Sequence, residues 1–279
     1  MLLALLLMSA CAVVRIGYSQ APDLLYWWTD GYFDVNDSQT PRLRDELAKL
    51  QQWHRASELP RYAQLLQKTQ KVVSADTSAA QICALYADIR GLMDSLQTHA
   101  LAPAAELATT LNAAQLEHLQ RKFDKNNQEF ARNFQRGTES ERSERRLKTA
   151  IERSETVYGR LDEAQIDVIR STVQTSSFDP RLSMSERRRR QQDLLQTLRK
   201  LLADRASPTQ TRGAIAAVLD RSWKSPDPIY RGYAERATQD ACANVARIHN
   251  STSAAQRAKA AQWLNGYEND FRSLLPSTV

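Results

Sequence analysis

The sequence predicts an all-α protein, built as a multi-helix bundle with short, capped connections between its helices. Of the 279 residues, 42% are hydrophobic, which is enough to bury a core. Only 8 Gly and 9 Pro interrupt a composition rich in Ala, Leu, Gln, Glu and Arg, the residues that lose least free energy on entering a helix. Apolar residues recur at helical spacing, and no strand-like alternation competes with them.

The first predicted element is a lipoprotein signal peptide at residues 1–10. The stretch "MLLALLLMSAC" is apolar but too short to cross a bilayer, and it ends in two small residues followed by Cys11. Met8-Ser9-Ala10-Cys11 resembles a lipobox, in which the peptide is cut before the Cys and the thiol carries a diacylglycerol. We therefore expect lipidation of Cys11, and Ala12 after it favours the outer membrane. A buried helix that ends in an ordinary Cys is the alternative.

The second element, residues 11–36, is rich in aromatic residues and follows the expected anchor directly. Tyr and Trp side chains favour the interface between membrane and water, which predicts a lipidated, membrane-proximal segment. Packing of the same rings against the helical body is the interpretation that we favour, because so many exposed rings would leave a large apolar patch. The rings belong to Tyr18, Tyr26, Trp27, Trp28, Tyr32 and Phe33.

Helices then follow one another through a single all-helical domain at residues 37–279. Thr40 is predicted as an N-cap with Pro41 in the first helical position, and Pro60 begins the next helix. Apolar stripes and turn signals place further helices at 78–99, 112–136, 139–158, 162–176, 183–205, 208–223, 227–249 and 253–275.

A recurring pentad marks where several of these helices start. In "LNAAQ", the N-cap Asn and the Gln three residues later form a capping box, and the Leu begins a hydrophobic staple; "LDEAQ" repeats both devices. Because capping accounts for every residue of the pattern, we expect a structural role, and a loss of about 1 kcal/mol or less when the Gln is replaced by Ala. The principal residues are Leu111, Asn112, Gln115, Leu161, Asp162, Gln165, Ser253 and Gln256, and further boxes are predicted at Ser78–Gln81, Ser207–Gln210 and Ser183–Glu186.

Two cysteines remain once Cys11 is set aside. Cys83 and Cys242 lie on predicted helices beside apolar residues, and the expected compartment is oxidising, so a disulfide between them is predicted. Two unrelated buried thiols are the alternative. The bond requires the two Cα atoms to lie within about 7 Å of each other.

The sequence indicates no enzymatic chemistry. It has no GxSxG, no HExxH and no Gly-rich phosphate loop, and its four histidines are far apart, so we predict no catalytic residue, no metal site and no cofactor. The net charge of +6 is compatible with nucleic acid as a partner. The Arg187–Arg190 run, however, falls inside a predicted helix without interleaved aromatic residues, so we expect a solvated helix and no nucleic-acid partner.

Two resemblances to known families accompany these patterns. "LNAAQ" and "LDEAQ" are similar to the Leu-Thr-x-x-Gln hallmark of the LTXXQ family of periplasmic stress proteins, which implies a helical, ATP-independent chaperone. "YSQAPDLLYWWTDGYFDVNDSQ", "WHRASELPRYAQLL", "RRLKTAIERSETVYGRLDEAQ" and "HNSTSAAQRAKAAQWLNGYENDFRSL" resemble blocks of an uncharacterised Gram-negative lipoprotein family. That resemblance implies a location and a helical fold, and no known activity.

These observations lead to an expected function. We expect a non-enzymatic lipoprotein, anchored through its N-terminal lipid to the outer membrane and facing the periplasm, with a structural or protein-interaction role toward an unknown envelope protein. The alternative is a tethered chaperone of the LTXXQ kind. Anti-aggregation activity separates the two, because a specific scaffold does not protect arbitrary unfolded clients.

Overall fold

The computed structural model describes residues 14–275 of the chain. Cys11 and the predicted signal peptide lie outside the described residues. Within 14–275 every regular element is a helix and no strand occurs, which confirms the prediction of an all-α bundle.

Eleven α-helices, numbered here in chain order, follow a helical stretch at residues 14–19 in this described part. A π-helical turn at His54–Glu58 joins the second to the third. The helices are α1 (Ala21–Phe33), α2 (Thr40–Trp53), α3 (Leu59–Val72), α4 (Ala79–Thr110), α5 (Ala113–Phe134), α6 (Glu139–Tyr158), α7 (Glu163–Gln174), α8 (Pro180–Ala203), α9 (Pro208–Trp223), α10 (Pro228–Asn250) and α11 (Ala254–Ser273).

The chain stays helical from α2 through α3, although the sequence predicts a new helix at Pro60. Pro60 occupies the first turn of α3, where a missing N–H is tolerated, and the wider π-helical turn before it keeps the helix continuous. Thr40 is the first residue of α2, and Gln39 takes the N-cap position that was predicted for Thr40. In both places Pro marks the first turn of a helix and not its first residue.

α4 runs eleven residues beyond its predicted end at residue 99, to Thr110. Pro103 lies inside the helix, and Ala105 after it is buried in the main core. A proline inside a helix removes one N–H from the ladder and crowds the carbonyl four residues earlier, and burial of the turn that follows offsets this cost. The resulting helix of 32 residues is about 48 Å long and contacts α2, α3, α9 and α10.

α8 begins at Pro180, three residues before its predicted start. Its N-cap is Asp179, whose carboxylate accepts a hydrogen bond from the N–H of Arg181 at 2.7 Å. The capping box predicted at Ser183–Glu186 is therefore wrong. Ser183 lies inside the helix and its hydroxyl donates to the Asp179 carbonyl at 2.8 Å.

The largest core cluster lies between α4, α5, α8 and α9. Elsewhere in the bundle α3 and α11 pack along each other, and Leu59, Ala63 and Ala260 of these helices are almost completely buried. The buried members of the large cluster are Ala105, Leu111, Leu116, Leu119, Phe123, Leu195, Leu198 and Ile215.

Candidate interaction groove

The predicted capping residues lie at helix N-termini. Each N-cap side chain accepts a hydrogen bond from the N–H three residues later, and the glutamine there accepts one from the N-cap N–H, at distances between 2.8 and 3.3 Å. These boxes stand at Asn112–Gln115, Asp162–Gln165 and Ser253–Gln256. Leu111 and Leu161 are buried beside the first two.

The structure adds a contact that the pentad does not reveal, because Gln115 and Gln165 each bind a second glutamine at the start of another helix. Gln115 Nε2 donates to Gln39 Oε1 at 2.8 Å and to the Asp34 carbonyl at 2.9 Å. Gln39 Nε2 donates in return to the Thr110 carbonyl at 2.9 Å and to Gln115 Oε1 at 3.3 Å. Gln39 Oε1 also accepts from the Asn36 N–H at 3.1 Å. We call such a pair a glutamine clasp.

A second glutamine clasp joins α7 to α11 in the same way. Gln165 Nε2 donates to Gln256 Oε1 at 2.7 Å and to the Ser251 carbonyl at 3.0 Å. Gln256 Nε2 donates to Gln165 Oε1 at 3.0 Å and to the Arg160 carbonyl at 2.9 Å. Both N–H groups of each amide are thereby engaged, so the clasp leaves no amide donor for a ligand.

Cys83 of α4 and Cys242 of α10 are joined by a disulfide in the structure. Their Cα atoms lie 5.4 Å apart, inside the limit that the bond requires. The two residues are 159 positions apart in the chain, so the bond ties one long helix near the start of the bundle to another near its end.

A groove of about 430 Å³ runs beside this disulfide between α4 and α10. We call it the α4–α10 groove. No lining residue carries a formal charge, and most of the lining is apolar or aromatic. The lining consists of Ile82, Tyr86, Ser183, Tyr230, Tyr233, Ala234, Ala237, Thr238, Ala241, Cys242 and Val245.

Both walls of the groove reach the surface of the protein. Tyr86 on α4 and Val245 on α10 are 44% and 46% exposed, far more than side chains of a closed core. Ala234, Ala237 and Ala241 recur at helical spacing on α10, where their small side chains leave room for close approach of another backbone. The groove is thus open to solvent and shaped for an apolar segment.

Two tyrosines attach this wall to α8. Tyr233 Oη accepts a hydrogen bond from the Asp179 N–H at 3.1 Å and lies 3.2 Å from Ser183 Oγ. The Arg190 guanidinium lies 5.7 Å from the ring centroid of Tyr230. Burial raises the pKa of Tyr230, so its hydroxyl stays neutral and the groove stays uncharged.

Two residues of the Arg187–Arg190 run, Arg189 and Arg190, form ion pairs, and Arg187 donates to the Asn127 amide oxygen, so the run is less solvated than the sequence predicts. Buried Glu186 accepts hydrogen bonds from Arg189 at 2.8 Å and from Arg190 at 2.7 Å. Burial opposes ionisation of Glu186, yet these two arginines lower its pKa below the ordinary value. Within the run only Arg188 is exposed.

Across 14–275 no group of three or more His, Cys, Asp or Glu is placed to hold a metal ion, and no helix there has the length and apolar character to cross a membrane. Two of the histidines are held by tyrosines: His54 Nδ1 lies 2.9 Å from Tyr18 Oη, and His249 Nδ1 lies 3.0 Å from Tyr158 Oη.

Comparison with known proteins places the chain in a family whose function is unknown. The model of a family of unknown function, DUF6279, matches residues 31–208, which is more than half of the chain. The match includes α4 and ends before α10, so one wall of the α4–α10 groove lies beyond the matched range. No curated protein and no solved structure matches the chain. The chain therefore belongs to the DUF6279 family, a family of unknown function.

Proposed function

We propose that the protein is a non-enzymatic lipoprotein, held on the outer membrane through Cys11 and facing the periplasm, whose helical body binds an apolar segment of another envelope protein. The observation that carries this proposal is the α4–α10 groove: it is open, uncharged and braced by a disulfide across its two walls. A disulfide is characteristic of oxidising compartments such as the periplasm.

The lining of the groove favours a protein segment as its occupant. Tyr86 and Tyr230 present rings with a polar tip, the type of side chain that is enriched at protein interfaces. The alanines of α10 admit the close backbone approach of a partner helix or strand. A charged small molecule lacks a counter-ion in this lining, and Ser183 and Thr238 have no histidine or carboxylate among the lining residues to activate them as nucleophiles.

A site-specific photocrosslinker at Tyr86 or Val245, used in intact cells, tests the groove. We expect each position to give the same single discrete adduct, because one segment lies between the two walls. A crosslinker at Leu202 on α8, which is 41% exposed, is the matched control and should give no such adduct. Replacing Ala237 with Arg fills the groove with a long charged side chain and should abolish the adduct while the protein stays folded.

The alternative function is a tethered chaperone, for which the same open apolar groove supplies the supporting observation. A chaperone gives many faint adducts from Tyr86 in place of one, and the purified protein suppresses aggregation of an unrelated unfolded protein. Absence of any adduct at both groove positions contradicts a binding role for the groove in either form.

A further inference from the structure

The outward face of α1 carries large apolar side chains, although a helix in water normally exposes polar ones. Leu24, Trp27 and Trp28 are 50%, 60% and 59% exposed. The only charged residues of this helix, Asp23 and Asp30, are both engaged. Asp23 forms an ion pair with an arginine of α2, and Asp30 accepts a hydrogen bond from the Val35 N–H, two residues beyond the end of α1. A solvated amphipathic helix shows the reverse arrangement.

Helical geometry gathers the apolar residues on one side. At about 100° per residue, Leu24, Trp27 and Trp28 fall within an arc of about 100°, and Leu25 extends it. Ile16, in the helical stretch before α1, is 62% exposed. We call these five residues, Ile16, Leu24, Leu25, Trp27 and Trp28, the tryptophan face.

The opposite side of α1 is firmly attached to the bundle. Tyr26 Oη forms a hydrogen bond with Thr40 Oγ1 at 2.9 Å. Tyr32 Oη accepts a hydrogen bond from Asn126 Nδ2 at 2.8 Å, and its ring packs edge-on against Phe123 of the core cluster. Four of the six aromatic side chains, those other than Trp27 and Trp28, thus pack on the body as the sequence favours, while both tryptophans remain outside. The tryptophan face is therefore a fixed surface of the folded protein.

We propose that the tryptophan face lies in the headgroup region of the membrane leaflet that holds the Cys11 lipid. This inference rests on the proposed lipidation of Cys11. Ile16 follows Cys11 by five positions, so at most about 18 Å of chain separates the lipid from this face. Trp side chains favour the depth at which an apolar ring meets a polar headgroup.

The dimensions of α1 fit a helix that lies along the surface. Its 13 residues span about 20 Å, less than the hydrocarbon thickness of about 30 Å, so it does not cross the bilayer. Lys122 Nζ lies 5.3 Å from the ring centroid of Tyr32, and the Tyr32 ring lies 4.7 Å from the ring of Trp28. The Lys122 ammonium group is therefore close to the tryptophan face, where it can attract anionic headgroups. The lipid and the tryptophan face together fix the orientation of the helical body relative to the membrane, whereas the lipid alone leaves that orientation free to vary.

Tryptophan fluorescence of the full chain in vesicles tests this orientation. The vesicles contain phosphatidylethanolamine and phosphatidylglycerol, with bromine atoms near the top of the acyl chains as quenchers. Two of the five tryptophans belong to the face. We expect brominated lipid to quench the native protein, and the Trp27→Ser/Trp28→Ser variant to lose that quenching. Trp223→Ser is the matched control, because Trp223 is 41% exposed but lies on α9, and it should retain the quenching.

The outcomes separate this inference from the proposed function. Protein that carries lipid at Cys11 and stays on vesicles, but shows equal quenching in the native and Trp27→Ser/Trp28→Ser forms, overturns the tryptophan face and leaves the anchor intact. If Cys11 carries no lipid, the proposed anchor fails, and quenching of protein added to preformed vesicles still decides the face. Shielding of Trp27 and Trp28 from both brominated lipid and aqueous acrylamide shows that a protein surface or a second copy covers them, which also overturns the inference.

Discussion

At the residue scale, Gln165 serves both as a capping residue and as half of a glutamine clasp. We expect Gln165→Ala to lower the free energy of unfolding by about 2 kcal/mol, because it removes a cap, the donor to the Ser251 carbonyl and both hydrogen bonds to the Gln256 amide. This exceeds the value of about 1 kcal/mol or less that capping alone predicts. Urea denaturation at constant pH measures the difference.

Gln210 supplies the matched control for this prediction. It closes a capping box with Ser207 at 2.8 Å, but it is exposed and belongs to no clasp. Gln210→Ala should therefore cost about 1 kcal/mol or less. Equal losses in the two variants mean that the clasp adds nothing to stability.

The capping boxes can be predicted from sequence because both partners lie within four residues of each other. The clasps cannot, because Gln115 meets Gln39 across 76 positions and Gln165 meets Gln256 across 91. A periodic pattern reports which face of a helix is apolar, and it carries no information on which two helix starts will meet in the folded protein.

His249 gives the stability a dependence on pH. Its ring is almost completely buried, its Nε2 lies 2.8 Å from the Ala75 carbonyl, and burial lowers its pKa. In the unfolded chain His249 has an ordinary pKa of about 6.5, so below that pH it is protonated there while it stays neutral in the folded protein. The free energy of unfolding therefore falls as the pH drops below about 6.5. His54 is shifted in the same direction.

Denaturation at about pH 7.5 and about pH 5.5 measures this effect, because most carboxylates stay ionised in that interval. The loss of unfolding free energy between the two pH values should be smaller in His249→Gln than in the native protein. His118→Gln is the control, since His118 is only partly buried and sits 3.4 Å from the Gly31 carbonyl. An identical pH dependence in the native protein and His249→Gln contradicts the assignment.

At the element scale, the disulfide connects α4 and α10 more strongly than packing alone. We expect the double variant Cys83→Ala/Cys242→Ala to lose up to about 5 kcal/mol of unfolding free energy, the chain-entropy value for a loop of this length. It should also lose the discrete crosslink from Tyr86, because the walls of the α4–α10 groove are no longer pinned. Mass spectrometry of the native protein with and without reductant shows whether the bond is formed, and free thiols at both positions contradict it.

Helix identity can be predicted from the sequence better than helix ends. The apolar stripe of α4 and its capping box are both formed by residues close together in sequence, so the start of the helix at Ala79 follows from them. Its continuation through Pro103 depends on the burial of Ala105 against other helices, which no local signal announces. The same holds for α8, where Asp179 caps the helix ahead of a serine and glutamate that fit the capping pattern equally well.

At the scale of the whole molecule, composition predicts the all-α class, but the candidate site emerges only from the assembled bundle. The α4–α10 groove combines Tyr86 with Val245, which lie 159 positions apart, the same separation as the two cysteines. Both pairs lie along the same seam between the two helices, and the second pair is three residues further along each helix than the first. The cysteines were the only sequence signal for that seam.

The location of the whole molecule depends on Cys11. We expect the mature protein to begin at Cys11 with acyl chains on its thiol and amino group, because "LMSAC" closes an apolar run. Each buried CH₂ contributes about 0.8 kcal/mol, so three acyl chains should keep the protein on membranes through an alkaline wash. The tryptophan face alone gives a reversible attachment that such a wash removes.

Mass spectrometry of the native N-terminus measures the modification directly, and fractionation measures its effect. Cys11→Ser should lose the lipid, retain residues 1–10 and leave less protein on washed membranes than the native chain. The Trp27→Ser/Trp28→Ser variant is the control, because it removes the tryptophan face and keeps the lipid, so it should remain on washed membranes. A native protein whose Cys11 thiol still reacts with an alkylating reagent has no lipid there, and its membrane attachment would need another explanation.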